Sequence, residues 1–369
     1  MTDAADRVPI DAQSVVAPLS RFAVFLVVTV GREAASLDTA RDTVSSIDDL
    51  VKTVGFRDLA GHLSCVVGIG RELWDRLAPG IRPAELEVFP TVRGQTHTAP
   101  STPGDLLFHI RAERADLVFE FERLLLDALG SAVRVVDETQ GFRYFDARDL
   151  LGFVDGTANP IGSELSDAAV ISDEDPAFAG GSYVVVQKYV HDLGSWASLT
   201  TEQQEAVIGR TKIDNVELDD SVESQKAHKT LATIVDDDGV ERDILRDNMP
   251  FGRPGSGEFG TYFIGYSARL WVIMRMIENM FIGDPPGFHD KILDVSTAVT
   301  GTTFFVPSNP VLQALGDPDA VDALAGQVAA AVEPVEEPAP ARPAAPGKSG
   351  SSLGIGSLRR PRETEGTAS

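Results

Sequence analysis

The chain has 369 residues, 43% of them hydrophobic, a formal net charge of −24 and a single cysteine. That length and apolar content allow a full core, in one large unit or two smaller ones. The charge opposes nucleic acid and anionic membrane, both of which are bound by neutralising phosphate with Lys and Arg. Cys65 alone excludes an internal disulfide or a thiolate-ligated cluster, and its apolar run over 63–68 marks a buried structural thiol. No window approaches the roughly 20 apolar residues of a membrane span. The first residues, MTDAADRVPIDAQSV, lack the basic and apolar regions of a secretory leader, so a soluble, cytoplasmic protein is expected.

In chain order, the β-branched and aromatic run over 22–30 predicts a strand, as do 63–69 and 106–110. From 113 to 129, Leu117, Val118, Phe121, Leu124, Leu125 and Ala128 fall at the spacing of a helix with one buried face, and 132–136 returns as a strand. The order strand, helix, strand, strand, helix, strand then recurs. Residues 183–190 predict a strand and 200–208 a helix, with Glu202 and Glu205 near the positive end of its dipole. Residues 259–266 predict a strand, 268–281 a strongly apolar helix and 303–306 a closing strand. Antiparallel sheets with helices on one face fit this order better than a parallel βαβ series. The fold class is therefore α+β in two halves, 1–150 and 151–315, without sequence identity between them.

After about residue 324 the composition shifts to Pro and Ala, which predicts an extended, semi-rigid linker over 325–352. The tail over 352–369 carries Leu353, Ile355 and Leu358 separated by Gly and Ser, with Lys348, Arg359, Arg360 and Arg362 nearby. Aliphatic residues at near-alternating positions on a flexible tether have the form of a peptide that docks on a partner protein. A plain disordered terminus is the competing reading.

Three residues stand out for chemistry. Asp155 lies in Gly152-Phe153-Val154-Asp155-Gly156-Thr157-Ala158-Asn159-Pro160, where Gly and Pro exclude a regular helix or central strand and leave a shaped loop. An isolated Asp-Gly pair is most often a plain turn. His228, in Lys226-Ala227-His228, has no metal-site spacing to His191 or His289 and taken alone reads as a satisfied or exposed histidine, although haem iron takes only one protein ligand on its proximal side. Arg246 and Arg253 by themselves read as solvated ion-pair partners. Asp236-Asp237-Asp238 reads as a solvated acidic turn, with Mn²⁺ binding as the other possibility.

Taken together, the 152–160 loop, Lys226-Ala227-His228, Arg246-Asp247-Asn248-Met249-Pro250-Phe251-Gly252 and the segment 293–308 closely resemble the dye-decolorising (DyP-type) peroxidases, B-type-like, over about 15–310. The resemblance implies two ferredoxin-like domains of the dimeric α+β barrel-like kind, with one haem b per chain in the second half. Lacking a C-x-x-C-H motif, the chain must hold it non-covalently. By motif match, His228 is the axial iron ligand, Asp155 the distal acid–base residue, Arg246 the distal arginine and Asn248 a distal polar residue. An acid after the last long helix hydrogen-bonds the proximal histidine in relatives; Asp290 is preferred over Asp284 and Asp294. The implied reaction uses hydrogen peroxide to oxidise dyes, phenolic compounds or other one-electron donors through a ferryl intermediate. Bulky donors are expected to be reached through a surface Tyr or Trp, from the pool Tyr183, Tyr189, Tyr262, Tyr266, Trp196 and Trp271. The tail resembles the targeting peptide that loads such peroxidases into encapsulin nanocompartments, so an encapsulin shell is the implied partner of Leu353, Ile355 and Leu358, and a homo-oligomer is expected. A haem-binding or iron-releasing protein without sustained turnover, needing His228 but not Asp155 or Arg246, is the main rival, and a cofactor-free cargo protein the second.

Overall fold

In the computed structural model, which describes residues 11–219 and 225–332, the run FAVFLVVTV forms strand β1 (Phe22–Val30), buried on both faces. Burial on both sides explains why its apolar residues run on without alternation. After it come α1 (Ala34–Ser45), α2 (Ile47–Gly55), β2 (Ser64–Ile69), α3 (Arg71–Leu77), β3 (Leu106–Ala112), α4 (Ala115–Leu129) and β4 (Val133–Phe142). Helix α4 buries Leu117, Val118, Phe121 and Leu125 of the stripe that its sequence spacing predicts, whereas Leu124 is half-buried and Ala128 exposed. Strand β4 continues past the predicted 136 to Phe142. It lies at the end of the sheet order, where polar Asp137, Glu138 and Gln140 are tolerated and no apolar run marks the strand.

The second half contains β5 (Ser182–His191), α5 (Thr201–Ile208), α6 (His228–Leu231), β6 (Leu245–Arg246), β7 (Met249–Arg253), β8 (Glu258–Ser267), α7 (Leu270–Phe281), β9 (Ser296–Ala298), β10 (Thr302–Val306), α8 (Asn309–Ala314) and α9 (Pro318–Val332). Thr200 is the cap of α5 and not its first residue: its hydroxyl accepts from the Gln203 N–H while the Gln203 side chain accepts from the Thr200 N–H.

Each half has the same antiparallel strand order, β4-β1-β3-β2 in the first and β10-β5-β8-β7 in the second. With the connecting helices, that is the ferredoxin-like arrangement. A pairing of Phe305 with Ile69 joins the halves into one ten-stranded sheet, so the described residues up to Val332 form one compact unit. The outer edges β4 and β7 approach each other closely enough that a Cβ on Gly141 would lie 2.6 Å from Met249.

The curled sheet separates two cores. Inside it, Phe25, Val66, Leu107, Val184, Ile264 and Phe304 pack with Tyr262, whose ring stacks on Phe25 at 4.1 Å. Outside it, the helices cover Val24, Leu26, Val67, Phe108, Val185 and Phe305. Cys65 is buried, and burial pushes its thiol far up. Among the described residues no helix is long and apolar enough to cross a membrane.

One expected boundary moves. Residues 325–332, read as the start of the linker, continue helix α9 to Val332, because Ala is the best helix former and no proline falls between Pro318 and Pro334. The rest of the expected linker and Leu353, Ile355 and Leu358 lie outside the described residues.

Candidate active site

Strand periodicity places Tyr183, Val185, Gln187, Tyr189 and His191 on the helix-side face of β5. Tyr183 and Val185 pack beneath helices, whereas Gln187, Tyr189 and His191 join Thr261 and Phe263 of β8 in lining a cavity of about 990 Å³. Its remaining walls are largely apolar: Leu151 and Phe153 from the loop, Ile208 from α5, Met276, Ile277 and Met280 from α7, and Ile292. The polar side chains on β5 are mostly satisfied locally. Tyr189 donates to Gln187 Oε1 at 2.9 Å, and His191 bonds Ser296 and Thr261 at 2.8 and 2.9 Å. Burial pushes His191 down to about 4, so it is neutral. Gln187 Nε2, by contrast, is buried without a partner.

The 152–160 loop delivers Asp155 to this cavity. Gly152 (φ 94°) and Gly156 (φ 77°) take left-handed conformations that favour glycine. Arg148 braces the loop by donating to the carbonyls of Gly152 and Lys212. Asp155 Oδ1 accepts from the Gly156 N–H at 2.7 Å and from Asn248 Nδ2 at 3.4 Å. Burial raises the Asp155 carboxyl above its ordinary value, partly offset by the Gly156 N–H, Asn248 and Arg246.

Asn159 fixes the backbone of Arg246. Its amide accepts from the Arg246 N–H at 2.9 Å and donates to the Arg246 carbonyl at 2.7 Å, as a neighbouring strand would. Asn248 is held in turn by the Ile264 N–H, which donates to its Oδ1 at 3.1 Å. A smaller recess of about 400 Å³, bordered by Arg143, Tyr144 and Arg148, shares Asp155, Arg246 and Asn248 with the cavity.

His228, at the start of α6, also lines the cavity. Its Nδ1 lies 2.6 Å from Oδ2 of Asp290, which is fully buried. Burial alone would lower the histidine pKa, but the Asp290 carboxylate outweighs it and holds the group above its usual value. A carboxylate only accepts, so the Nδ1 proton points to Asp290, and in the neutral ring the Nε2 lone pair is left for another partner. The other two acids are engaged elsewhere: Asp284 pairs with Lys226 at 2.5 Å, and Asp294 with His97 and His289.

Other sequence expectations resolve differently. Asp236 spends its carboxylate on the Asp238 and Val240 N–H groups and on Arg242, which makes 236–238 a structured turn. Arg253 is exposed and lies 3.8 Å from Glu258. Of the aromatic pool, Trp271 alone reaches the surface, at 37% exposure. The sequence reading missed Gln187, Tyr189 and His191 as cavity residues, and also Asp149, whose carboxyl burial pushes up to about 7 beside Asp155. A polar residue every second position at the end of a strand was the available signal for the first three; Asp149 carried none.

The family models "Dyp-type peroxidase, N-terminal" and "Dyp-type peroxidase, C-terminal" match residues 12–143 and 146–310. The chain belongs to the Dyp-type peroxidase family. As a Dyp-type peroxidase it is an oxidoreductase, and it is 55% identical to the dye-decolorizing peroxidase of Mycobacterium tuberculosis over 299 residues, 81% of this chain and 89% of that one. The structure of DyPB from Rhodococcus jostii RHA1 matches with a TM-score of 0.81 at 58% identity, over 83% of this chain and 98% of that one. Variants of that protein have been solved in complex with heme. The cryo-EM structure of the encapsulated DyP-type peroxidase from Mycobacterium smegmatis matches with a TM-score of 0.79 at 54% identity, over 84% of this chain and 98% of that one.

Proposed function

We propose that this Dyp-type peroxidase holds haem b non-covalently, one per chain, and uses hydrogen peroxide to oxidise dyes, phenolic compounds or other one-electron donors. One observation carries the reading: His228, locked through Nδ1 by the buried Asp290, lines the same cavity as Asp155 and Arg246 with its Nε2 unengaged. The cavity fits the group. Its walls facing β5 are largely apolar, as a flat macrocycle requires, and Gln187 Nε2 is a buried donor still lacking an acceptor. Bound there, haem would supply the redox centre that accepts the two oxidising equivalents of peroxide.

The protein's own groups divide the remaining work. His228 Nε2 would ligate the iron, and the Asp290 hydrogen bond fixes the ring and makes it a stronger electron donor. Asp155, as carboxylate, takes the first proton of peroxide and returns it to the outer oxygen, so that water leaves. The Arg246 guanidinium, permanently charged and carried on a backbone that Asn159 pins, stabilises the negative charge that develops as the O–O bond breaks. Asn248 orients the Asp155 carboxylate while its own carbonyl is tied to Ile264.

The tail completes the proposal. Leu353, Ile355 and Leu358 would dock on an encapsulin shell, holding a self-associated enzyme inside a cytoplasmic nanocompartment. Their spacing and the encapsulated M. smegmatis relative support this. Removing 352–369 should abolish co-purification with a co-expressed shell.

The deciding experiment for the cofactor is the visible spectrum of protein expressed with haem supplied. A Soret band at one haem per chain, lost or shifted in His228→Ala, is expected; no Soret band in the wild type would end the haem reading.

A further inference from the structure

Three side chains outside the cavity converge on one point. His97 Nε2 lies 3.0 Å and His289 Nε2 2.9 Å from the same atom, Asp294 Oδ1, and the two imidazoles meet edge to face with centroids 4.7 Å apart. All the potential ligand atoms lie within 4.8 Å of one another, and among the described residues no other three His, Cys, Asp or Glu side chains are so grouped.

The chain segments that bring them together are tightly placed. His97 sits in the tip of a hairpin between Val92–Arg93 and Thr98–Ala99, closed by the Gly94 N–H donating to the His97 carbonyl. That hairpin is pressed against the end of α7: a Cβ on Gly94 would fall 1.8 Å from the Phe281 carbonyl oxygen, so only glycine fits. His289 is held by Gln225, whose amide donates to its carbonyl at 3.0 Å, and Asp294 closes the short turn Lys291–Asp294.

The donor set selects the ligand. Two neutral imidazoles and one carboxylate carry one negative charge, which a dication complements. Nitrogen donors disfavour Ca²⁺ and Mg²⁺, which take oxygen ligands, and suit Zn²⁺ and its transition-metal neighbours. Ligands about 2.0–2.1 Å from a tetrahedral Zn²⁺ stand roughly 3.3 Å apart, so the two Nε2–Oδ1 spacings need to open only by a few tenths of an ångström. Lys291 Nζ pairs with the other oxygen, Oδ2, at 3.4 Å and leaves Oδ1 facing the imidazoles. Burial would raise the Asp294 carboxyl, but the bonds from His289 and His97 and the charge of Lys291 hold it below its ordinary range. Partial exposure of all three residues leaves a fourth position open to water.

We propose that His97, His289 and Asp294 bind one Zn²⁺-class transition-metal ion, which clamps the first-half hairpin to the segment that carries Asp290. The site is separate from the cavity and does not depend on the haem reading. On binding, each neutral imidazole changes tautomer, losing its Nε2 proton and gaining one at Nδ1 by exchange with solvent, and coordinates through the freed Nε2 lone pair.

The test is calorimetric titration of chelator-treated, full-length, haem-supplied protein with ZnCl₂ at pH 7.5, with MgCl₂ and CaCl₂ as controls. Expected are one Zn²⁺ per chain that the His97→Ala/His289→Ala double variant does not take up, no heat with the control ions, and a Zn²⁺-dependent rise in Tm confined to the wild type. Outer-sphere changes at zinc sites already cost about 10–100-fold in affinity, so loss of one ligand in Asp294→Asn should cost at least that. Asp294→Asn and the single His97→Ala carry the test should the double variant fail to fold. A wild type that takes up no Zn²⁺, or variants that take it up as the wild type does, would overturn the assignment.

Discussion

The first strands of the two halves occupy equivalent places in sheets of the same order, yet they face their helices with different chemistry. Strand β1 presents Val24, Leu26, Val28 and Val30, all buried in the apolar core beneath the helices. Strand β5 presents Tyr183 and Val185, then Gln187, Tyr189 and His191 at the cavity. One scaffold thus serves twice. The first half fills the space between sheet and helix with close-packed hydrocarbon; the second leaves it open, lines it with polar groups that bond one another, and brings Asp155, Arg246 and His228 to its walls. The proposed catalytic groups sit in the half that leaves this space open.

Truncating matched positions should break or confirm this contrast most visibly. Leu26→Ala removes a fully buried side chain from the packed half and should cost about 2–5 kcal/mol in denaturant unfolding. Gln187→Ala, at the corresponding face of the open half, should cost less, about 1 kcal/mol for the buried Tyr189 hydroxyl that loses its acceptor, yet lower haem affinity. Equal destabilisation at both positions would mean that the cavity is packed core after all.

The next effect sharpens the role of the open half. Burial raises the Asp155 carboxyl, and its base form is what accepts a proton, so the rate of the peroxide step should fall on the acid side with a midpoint above the ordinary Asp value of about 3.9. Asp155→Asn should lose that acid limb. A wild-type profile flat down to pH 4 would remove Asp155 from the proton path.

The smallest effect belongs to the packed half. Glu122 is buried in α4, and burial together with Glu138 pushes its carboxyl up to about 7. A folded-state pKa above the unfolded value contributes stability that is full below about 4.5 and is lost as pH rises through about 7. The wild type should therefore lose stability between about pH 5 and 8, and Glu122→Gln should escape that part of the loss; equal pH slopes in thermal unfolding would contradict it.

Much of this was legible in the sequence. Runs of β-branched and aromatic residues located the main strands, helical spacing located α4, and α5 and α7 were also expected from their segments. The helix between the first two strands could not be bounded, because α1 and α2 break at Ser46 and their buried residues Ala40, Val44, Ile47 and Val54 keep no single phase. Asp155, Arg246 and His228 were found because their motifs carry glycines, prolines and fixed neighbours. Gln187 and His191 were not, since alternation assigns a residue to a face but says nothing of what covers it. The choice among Asp284, Asp290 and Asp294 needed coordinates for the same reason: all three follow α7, and only Asp290 turns its carboxylate to His228.

The most direct test of the account is stopped-flow mixing of hydrogen peroxide with haem-loaded wild type, Asp155→Ala and Arg246→Leu. Arg246→Leu should slow the first spectral step by on the order of 10²–10³, because nothing replaces a fixed charge in a buried pocket. Asp155→Ala should slow it less, by about tenfold or more, since water admitted by the truncation can carry part of the proton transfer. If both variants keep bound haem and react at the wild-type rate, neither group activates peroxide and the proposed mechanism is wrong.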